Sequence, residues 1–271
     1  MSQQYPHVYT IQPTGRDSYS SFSTDSADVS VPSGAAINWM PAPLRVPNCP
    51  PGLEYLTRVK GLIVEQQIDL LEVFTNWEVT NSYKIYNETG QQVYYAYEES
   101  DCCQSCFCGA SRGYTIHIVD NFRREVMTII RPFKCCGGVF CANESYVEAP
   151  PGQWLGEIKQ TFGFLQHNFV IGDEHGRLNI KGPQEIGCGF ACDCGEKIFK
   201  VKTKEGTTIG EIRKKCGGVM REYFTDADTF SVYFPENLTV GLKANMLAAT
   251  FLIDFLSFEN RNPSQQQNFH F

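Results

Sequence analysis

The chain has 271 residues, 42% hydrophobic and 13% aromatic, enough apolar side chain for a packed core; this excludes a wholly disordered protein. A formal net charge of −7 and the lack of any dense Lys/Arg run argue against a nucleic-acid partner, because neutralising phosphates takes clustered cations. The opening "MSQQYPHVYTIQ" has neither the basic start nor the apolar run of a secretory leader, which predicts a chain made in the cytosol. In that reducing setting twelve cysteines point to lipidation, metal binding or burial rather than to a disulfide framework.

Residues 1–45 are rich in Ser, Thr, Gln, Pro and Gly without helical or strand period, and this composition predicts a disordered tail. Within it "PAPLRVP", Pro41–Pro47, can dock an aromatic groove as an extended proline segment, which makes protein partners of this motif an expectation. The ordered domain is expected over 46–260, followed by a polar tail at 261–271.

From Pro51 to about residue 235 one pattern recurs: an alternating run, a turn with Asn, Asp or Gly, and a second alternating run. It appears in "YKIYNETGQQVYYAY" from Tyr83, "YTIHIVDNFRREVMTII" from Tyr114, "FVIGDEHGRLNIKG" from Phe169 and "FKVKTKEGTTIGEI" from Phe199. Alternation with period 2 buries one face, and the turn residues reverse the chain, so each unit reads as a β-hairpin. A succession of hairpins predicts a mainly β protein, an antiparallel barrel or sandwich, and closure protects the strand edges.

The last element breaks this pattern. "VGLKANMLAATFLIDFLSFE", Val240–Glu259, has no turn residue after Gly241 and reads as a helix over 240–258, about as long as a membrane span. In lipid, Lys243 and Asp254 each cost about 2.5–3.5 kcal/mol at mid-membrane and Asn245 adds to that, while each Leu or Phe returns only about 0.3–0.6. Threaded through a barrel instead, the helix is apolar all round because strands surround it, and Asp254 can meet a buried partner at the barrel mouth. Both placements, spanning and enclosed, are carried forward.

Three cysteine clusters interrupt the hairpins beside glycines. Cys103 and Cys106 have zinc-type C-x-x-C spacing, and Cys188 with Cys192 could complete a tetrahedral thiolate site. Cys135, Cys136 and Cys141 follow Arg131 and Lys134 among Gly, Val and Phe, a setting that suits thioester acylation; each buried methylene of an attached chain adds about 0.8 kcal/mol of membrane affinity. Asp226 and Asp228 begin "DADTFSVYFPENLT" as a calcium loop begins, and then the sequence alternates as a strand with Phe230, Val232 and Phe234 on one face.

Taken in order, "VPNCPPGLEYL" (Val46–Leu56), "APPGQWLGEI" (Ala149–Ile158), "FTDADTFSVYFPENL" (Phe224–Leu238) and "LAATFLIDFLSFE" (Leu247–Glu259) resemble the phospholipid scramblases. The resemblance covers about residues 45–260. It implies a tubby-like closed antiparallel β-barrel around a hydrophobic C-terminal α-helix, and calcium-stimulated, ATP-independent movement of phospholipids between leaflets. It also implies anchoring by acylation (palmitate) and a place on the cytosolic side of the plasma membrane. The family's calcium segment is matched at Asp226, Asp228, Phe230, Phe234 and Pro235, but its last two acidic positions are Asn237 and Thr239 here. Calcium takes six to eight oxygens, so the resemblance implies a weak Ca²⁺ site on Asp226 and Asp228, with Asn237 and Glu236 as lesser ligands. "GEIRKKCGG", Gly210–Gly218, aligns with the family's nuclear-import segment, which adds a nuclear pool as a minor expectation.

No nucleophile, phosphate loop or acid/base pair is legible, which disfavours ATP-driven transport, and the resemblance implies a facilitative lipid translocator rather than a chemical catalyst. The polar helix residues Lys243, Asn245 and Asp254 are the candidates for easing a headgroup through hydrocarbon. The competing expectation is a barrel that binds lipid or protein partners as an adaptor and transports nothing.

Overall fold

The computed structural model describes residues 38–67, 79–99, 112–133, 143–161, 166–183, 196–215 and 229–257. Chain contacts separate Met1–Ala36 from Ile37–Phe271, and every described residue belongs to the second unit.

Twelve strands alternate up and down: β1 (Gly61–Gln67), β2 (Val79–Asn87), β3 (Gln92–Glu99), β4 (Tyr114–Val119), β5 (Glu125–Arg131), β6 (Glu144–Glu148), β7 (Trp154–Thr161), β8 (Asn168–Gly172), β9 (Arg177–Lys181), β10 (Lys197–Lys202), β11 (Thr208–Lys215) and β12 (Thr229–Tyr233). Each pairs antiparallel with the next, and β1 pairs with β12, so the sheet closes into a barrel with no free edge. The four hairpins expected from alternation are β2–β3, β4–β5, β8–β9 and β10–β11. A fifth, β6–β7, turns through Ala149–Gln153, where two prolines obscure the alternation.

Three turns use one device. The side-chain oxygen of Asn87 accepts the amides of Thr89 and Gln91, that of Asp120 accepts Phe122 and Arg124, and that of Asp173 accepts His175 and Gly176. An Asn or Asp that satisfies the turn's own amides is why these residues punctuate the alternating runs. All five tight turns lie on one rim, because the strands alternate direction. A 3₁₀ turn, Glu54–Thr57, lies under this rim with Tyr55 and Leu56 buried. Backbone pairing begins earlier than residue 46: Trp39 bridges Gln92, and Met40 donates to the Gln92 carbonyl at 2.8 Å, so the start of β3 pairs with residues just before the proline segment.

One helix, α1 (Val240–Ser257), fills the barrel. Every residue from Leu242 to Phe255 is buried, including Lys243, Asn245, Thr250 and Asp254. The core is formed by this helix and the inward-facing residues of the strands, Ile85, Ile118, Ile129, Ile158, Ile180 and Val232 among them. The spanning placement of α1, and with it the expected transmembrane helix, is therefore corrected. Strands enclose the helix on all sides, and among the described residues no helix is long and apolar enough to cross a membrane.

Candidate functional site

Of the buried polar residues of α1, Thr250 donates to the Met246 carbonyl of its own helix, and Lys243, Asn245 and Asp254 each find a partner outside it. Near the N-terminal end, the Lys243 ammonium donates to the Leu56 carbonyl at 2.9 Å and the Val59 carbonyl at 3.3 Å, and sits 4.9 Å from the Phe234 ring centroid. The Leu56 carbonyl belongs to the last residues of the 3₁₀ turn, where a helical segment leaves acceptors unfilled, and Val59 follows just beyond its cap. Burial lowers the Lys243 pKa, opposed by the carboxylates of Glu236 and Glu88.

Two residues along the helix, Asn245 Nδ2 donates to the Gly172 carbonyl at 3.3 Å, while its Oδ1 is buried with no partner. The amide fits only because residue 156 is glycine: a Cβ there would lie 2.1 Å from Asn245 Nδ2. β7 thus carries a gap that fits the helix side chain.

At the opposite rim, where α1 ends, charge gathers around Phe255. Asp254 Oδ1 lies 3.3 Å from Lys214 Nζ of β11, both side chains almost fully buried. Arg131 and Arg112 stack on the Phe255 ring at 4.4 and 4.8 Å, Arg112 pairs with Glu98, and Arg131 donates to Asn143 at 2.7 Å. The sequence marks Asp254 and Arg131 but not Lys214 as its partner. Lys214 was hidden inside "RKK", where strand alternation alone decides which cation points inward.

The remaining site expectations divide by position. Glu236 is exposed and ion-paired to Lys60 at 2.6 Å, which lowers the glutamate pKa and raises that of the lysine. Asn237 is exposed in the turn that follows β12. β12 runs from Thr229 at one rim to Tyr233 at the other, and Glu236 and Asn237 follow the Tyr233 end. Thr239 caps α1, its hydroxyl accepting the Leu242 amide at 3.3 Å and lying 3.4 Å from Asp173 Oδ2. Asp226, Asp228, the acylation candidates Cys135, Cys136 and Cys141, and the zinc candidates Cys103, Cys106, Cys188 and Cys192 lie outside the described residues. Among the described residues no group of His, Cys, Asp or Glu is arranged to hold a metal.

The fold and its lining define a class: a twelve-stranded antiparallel barrel closed around a helix whose Lys243, Asn245 and Asp254 each bond to a residue outside the helix. Comparison with known proteins gives the family. The family model described as Scramblase matches residues 40–260. The chain is 43% identical to human phospholipid scramblase 1 over 239 residues, covering 86% of this chain and 74% of that protein. It is 44% identical to phospholipid scramblase 2 of Bos taurus over 228 residues, 82% of this chain and 76% of that one. It is 40% identical to human phospholipid scramblase family member 5 over 217 residues, 78% of each. The chain belongs to the scramblase family. No solved structure matches it.

Proposed function

We propose that this protein is a membrane-associated phospholipid scramblase, moving phospholipids between leaflets in both directions without ATP and with calcium as the stimulus. The observation that carries the reading is the 40–44% identity, over more than two thirds of both chains, to proteins named phospholipid scramblases. Because α1 fills the barrel, the path for a headgroup is not the barrel interior. The protein acts from its outer surface, by offering polar groups to headgroups or by thinning the bilayer locally, either of which lowers the cost of carrying a polar group through hydrocarbon.

Anchoring in this proposal comes from acyl chains on Cys135, Cys136 and Cys141, since one chain binds reversibly and two hold stably. It places the protein on the cytosolic face of the plasma membrane. Calcium binds weakly through Asp226 and Asp228. Zinc on Cys103, Cys106, Cys188 and Cys192 and a nuclear pool are lesser parts of the same proposal. Reconstitution in vesicles with a fluorescent phospholipid tests the central claim. Added calcium should expose inner-leaflet lipid to a membrane-impermeant quencher; protein-containing vesicles that exchange lipid no faster than empty ones would refute it.

A second reading, a lipid-binding adaptor barrel that transports nothing, is favoured by one observation: the helix carrying Lys243, Asn245 and Asp254 is enclosed by protein. In the same assay it predicts vesicle binding with no lipid exchange.

A further inference from the structure

Charge is unevenly distributed over the outside of the barrel. In the β9–β10 pair Lys200 stands directly opposite Lys181, and Lys202 opposite Asn179. Ile180, Phe199 and Val201 are buried inside, so alternation turns Lys181, Lys200 and Lys202 outward. Lys181 and Lys200 are both exposed.

Like charges directly opposite on neighbouring strands destabilise a sheet. The acid opposite Lys200 on its other side is Glu211, but that carboxylate is taken by Arg213, whose Nε lies 2.8 Å from it. Arg213 also reaches Glu196 at 3.5 Å. Lys159, one row along the wall, is held by Glu157 at 2.8 Å. Among the described residues no carboxylate comes within ion-pair distance of Lys181, Lys200 or Lys202. An acidic chain of net charge −7 thus keeps three neighbouring cations on one sheet face without a counter-charge among the described residues.

We propose that the outer face of β9 and β10 is a docking surface for an anionic phospholipid bilayer, with Lys181, Lys200 and Lys202 turned to the headgroups. The proposal rests on the membrane association proposed above and adds the face of the barrel that meets the lipid. A bilayer fits better than a nucleic acid. It offers diffuse negative charge in a plane, whereas a duplex-binding surface typically neutralises about six to ten phosphates, more than this wall supplies. Each lysine held near an anionic membrane surface strengthens binding about fivefold.

The test uses the full-chain protein sedimented with vesicles of phosphatidylcholine alone or of phosphatidylcholine with phosphatidylserine. Binding is expected only with phosphatidylserine present, and should fall as salt rises from about 0.1 to 1 M and the screening length shrinks from about 10 to 3 Å. Lys181→Gln/Lys200→Gln should weaken it about 25-fold, and Lys181→Arg/Lys200→Arg should preserve it. Lys84→Gln on β2, four strands away around the barrel, should leave it unchanged. Wild-type binding by the double Gln variant, equal binding to both vesicle types, or tighter binding of a DNA duplex through the same lysines overturns the proposal. A lipid-exchange assay on the same proteins separates the two ideas. Exchange by wild type alongside unimpaired binding of the Gln variant defeats the docking face alone, and lysine-dependent binding without exchange defeats the scramblase reading alone.

Discussion

Asp254 of the helix and Lys214 of β11 form an ion pair at 3.3 Å inside the barrel mouth, with both side chains almost fully buried. Removing one member of such a pair costs about 3–5 kcal/mol, because the other charge keeps its desolvation penalty. Asp254→Leu should therefore destabilise the protein by that order in urea denaturation. Asp254→Leu/Lys214→Met should recover much of the loss, since burying two apolar groups in place of the pair is often neutral. A double-mutant cycle with no coupling between the two positions would show that the helix does not sit in the barrel as described.

Gly156 should tolerate no side chain. A methyl group there would meet Asn245 Nδ2 at 2.1 Å and the Gly172 carbonyl at 2.6 Å, so Gly156→Ala should cost about 1–3 kcal/mol or more. Asn245→Ala should cost less than Gly156→Ala, because the lost hydrogen bond to Gly172 is offset by no longer burying an unpartnered Oδ1. Chemical denaturation of the two variants side by side checks the order; the reverse order would remove the basis for the fit between β7 and α1.

Lys243 sets a pH dependence. Its folded pKa lies below the unfolded lysine value of 10.5 because burial disfavours the charge. Below the folded pKa both states are charged and the penalty counts fully against folding. As pH rises from the folded value toward 10.5 the unfolded chain holds more protons, so stability increases. The stability of wild type relative to Lys243→Met should accordingly grow between neutral and alkaline pH. Urea midpoints for both proteins across that range measure it, and a difference that stays flat or narrows contradicts the assignment.

Cys49 should be a poor nucleophile. Burial, then the Glu54 carboxylate, push its thiol up to about 11, so little thiolate exists at neutral pH. Alkylation of the native protein at pH 7.5 followed by peptide mass spectrometry should leave Cys49 largely unmodified, and urea should expose it. Rapid native labelling at Cys49 would go against this environment.

Calcium affinity should be low, in the range of about 10⁻⁴–10⁻³ M found for weak calcium modules, and should vanish in Asp226→Ala or Asp228→Ala. Titration calorimetry on the full chain decides between this and a tight site, whose detection would mean ligands beyond those two carboxylates. Thr239→Asp would bring a second carboxylate beside Asp173, which the Thr239 hydroxyl already approaches at 3.4 Å. Without calcium that variant should lose stability through repulsion, despite aspartate being a good helix cap.

Much of the fold was legible because its signals are local. Period-2 alternation is a property of neighbouring residues, and Asn87, Asp120 and Asp173 reverse the chain with their own side chains. The β6–β7 hairpin was harder to see, since "APPGQW" hides a tight turn behind two prolines and Gly156 interrupts the apolar face. The candidate site was legible only in half: Lys243, Asn245 and Asp254 stand out as polar residues in an apolar helix, but their partners do not.

By itself, the sequence determined the strands, the turns and the helix, because alternation, Asx turns and an uninterrupted apolar run each act over a few residues. It could not determine what surrounds the helix, because a segment apolar on every side presents the same pattern to lipid and to a ring of strands. Only the closed barrel decided that. It brings the Leu56 and Val59 carbonyls to Lys243, more than 180 positions away in the chain, and Lys214 to Asp254 across 40. Strand pairing likewise sets Lys181 against Lys200, cations too far apart in sequence to look like a patch, since register is fixed by the burial of Ile180 and Phe199 on the other face.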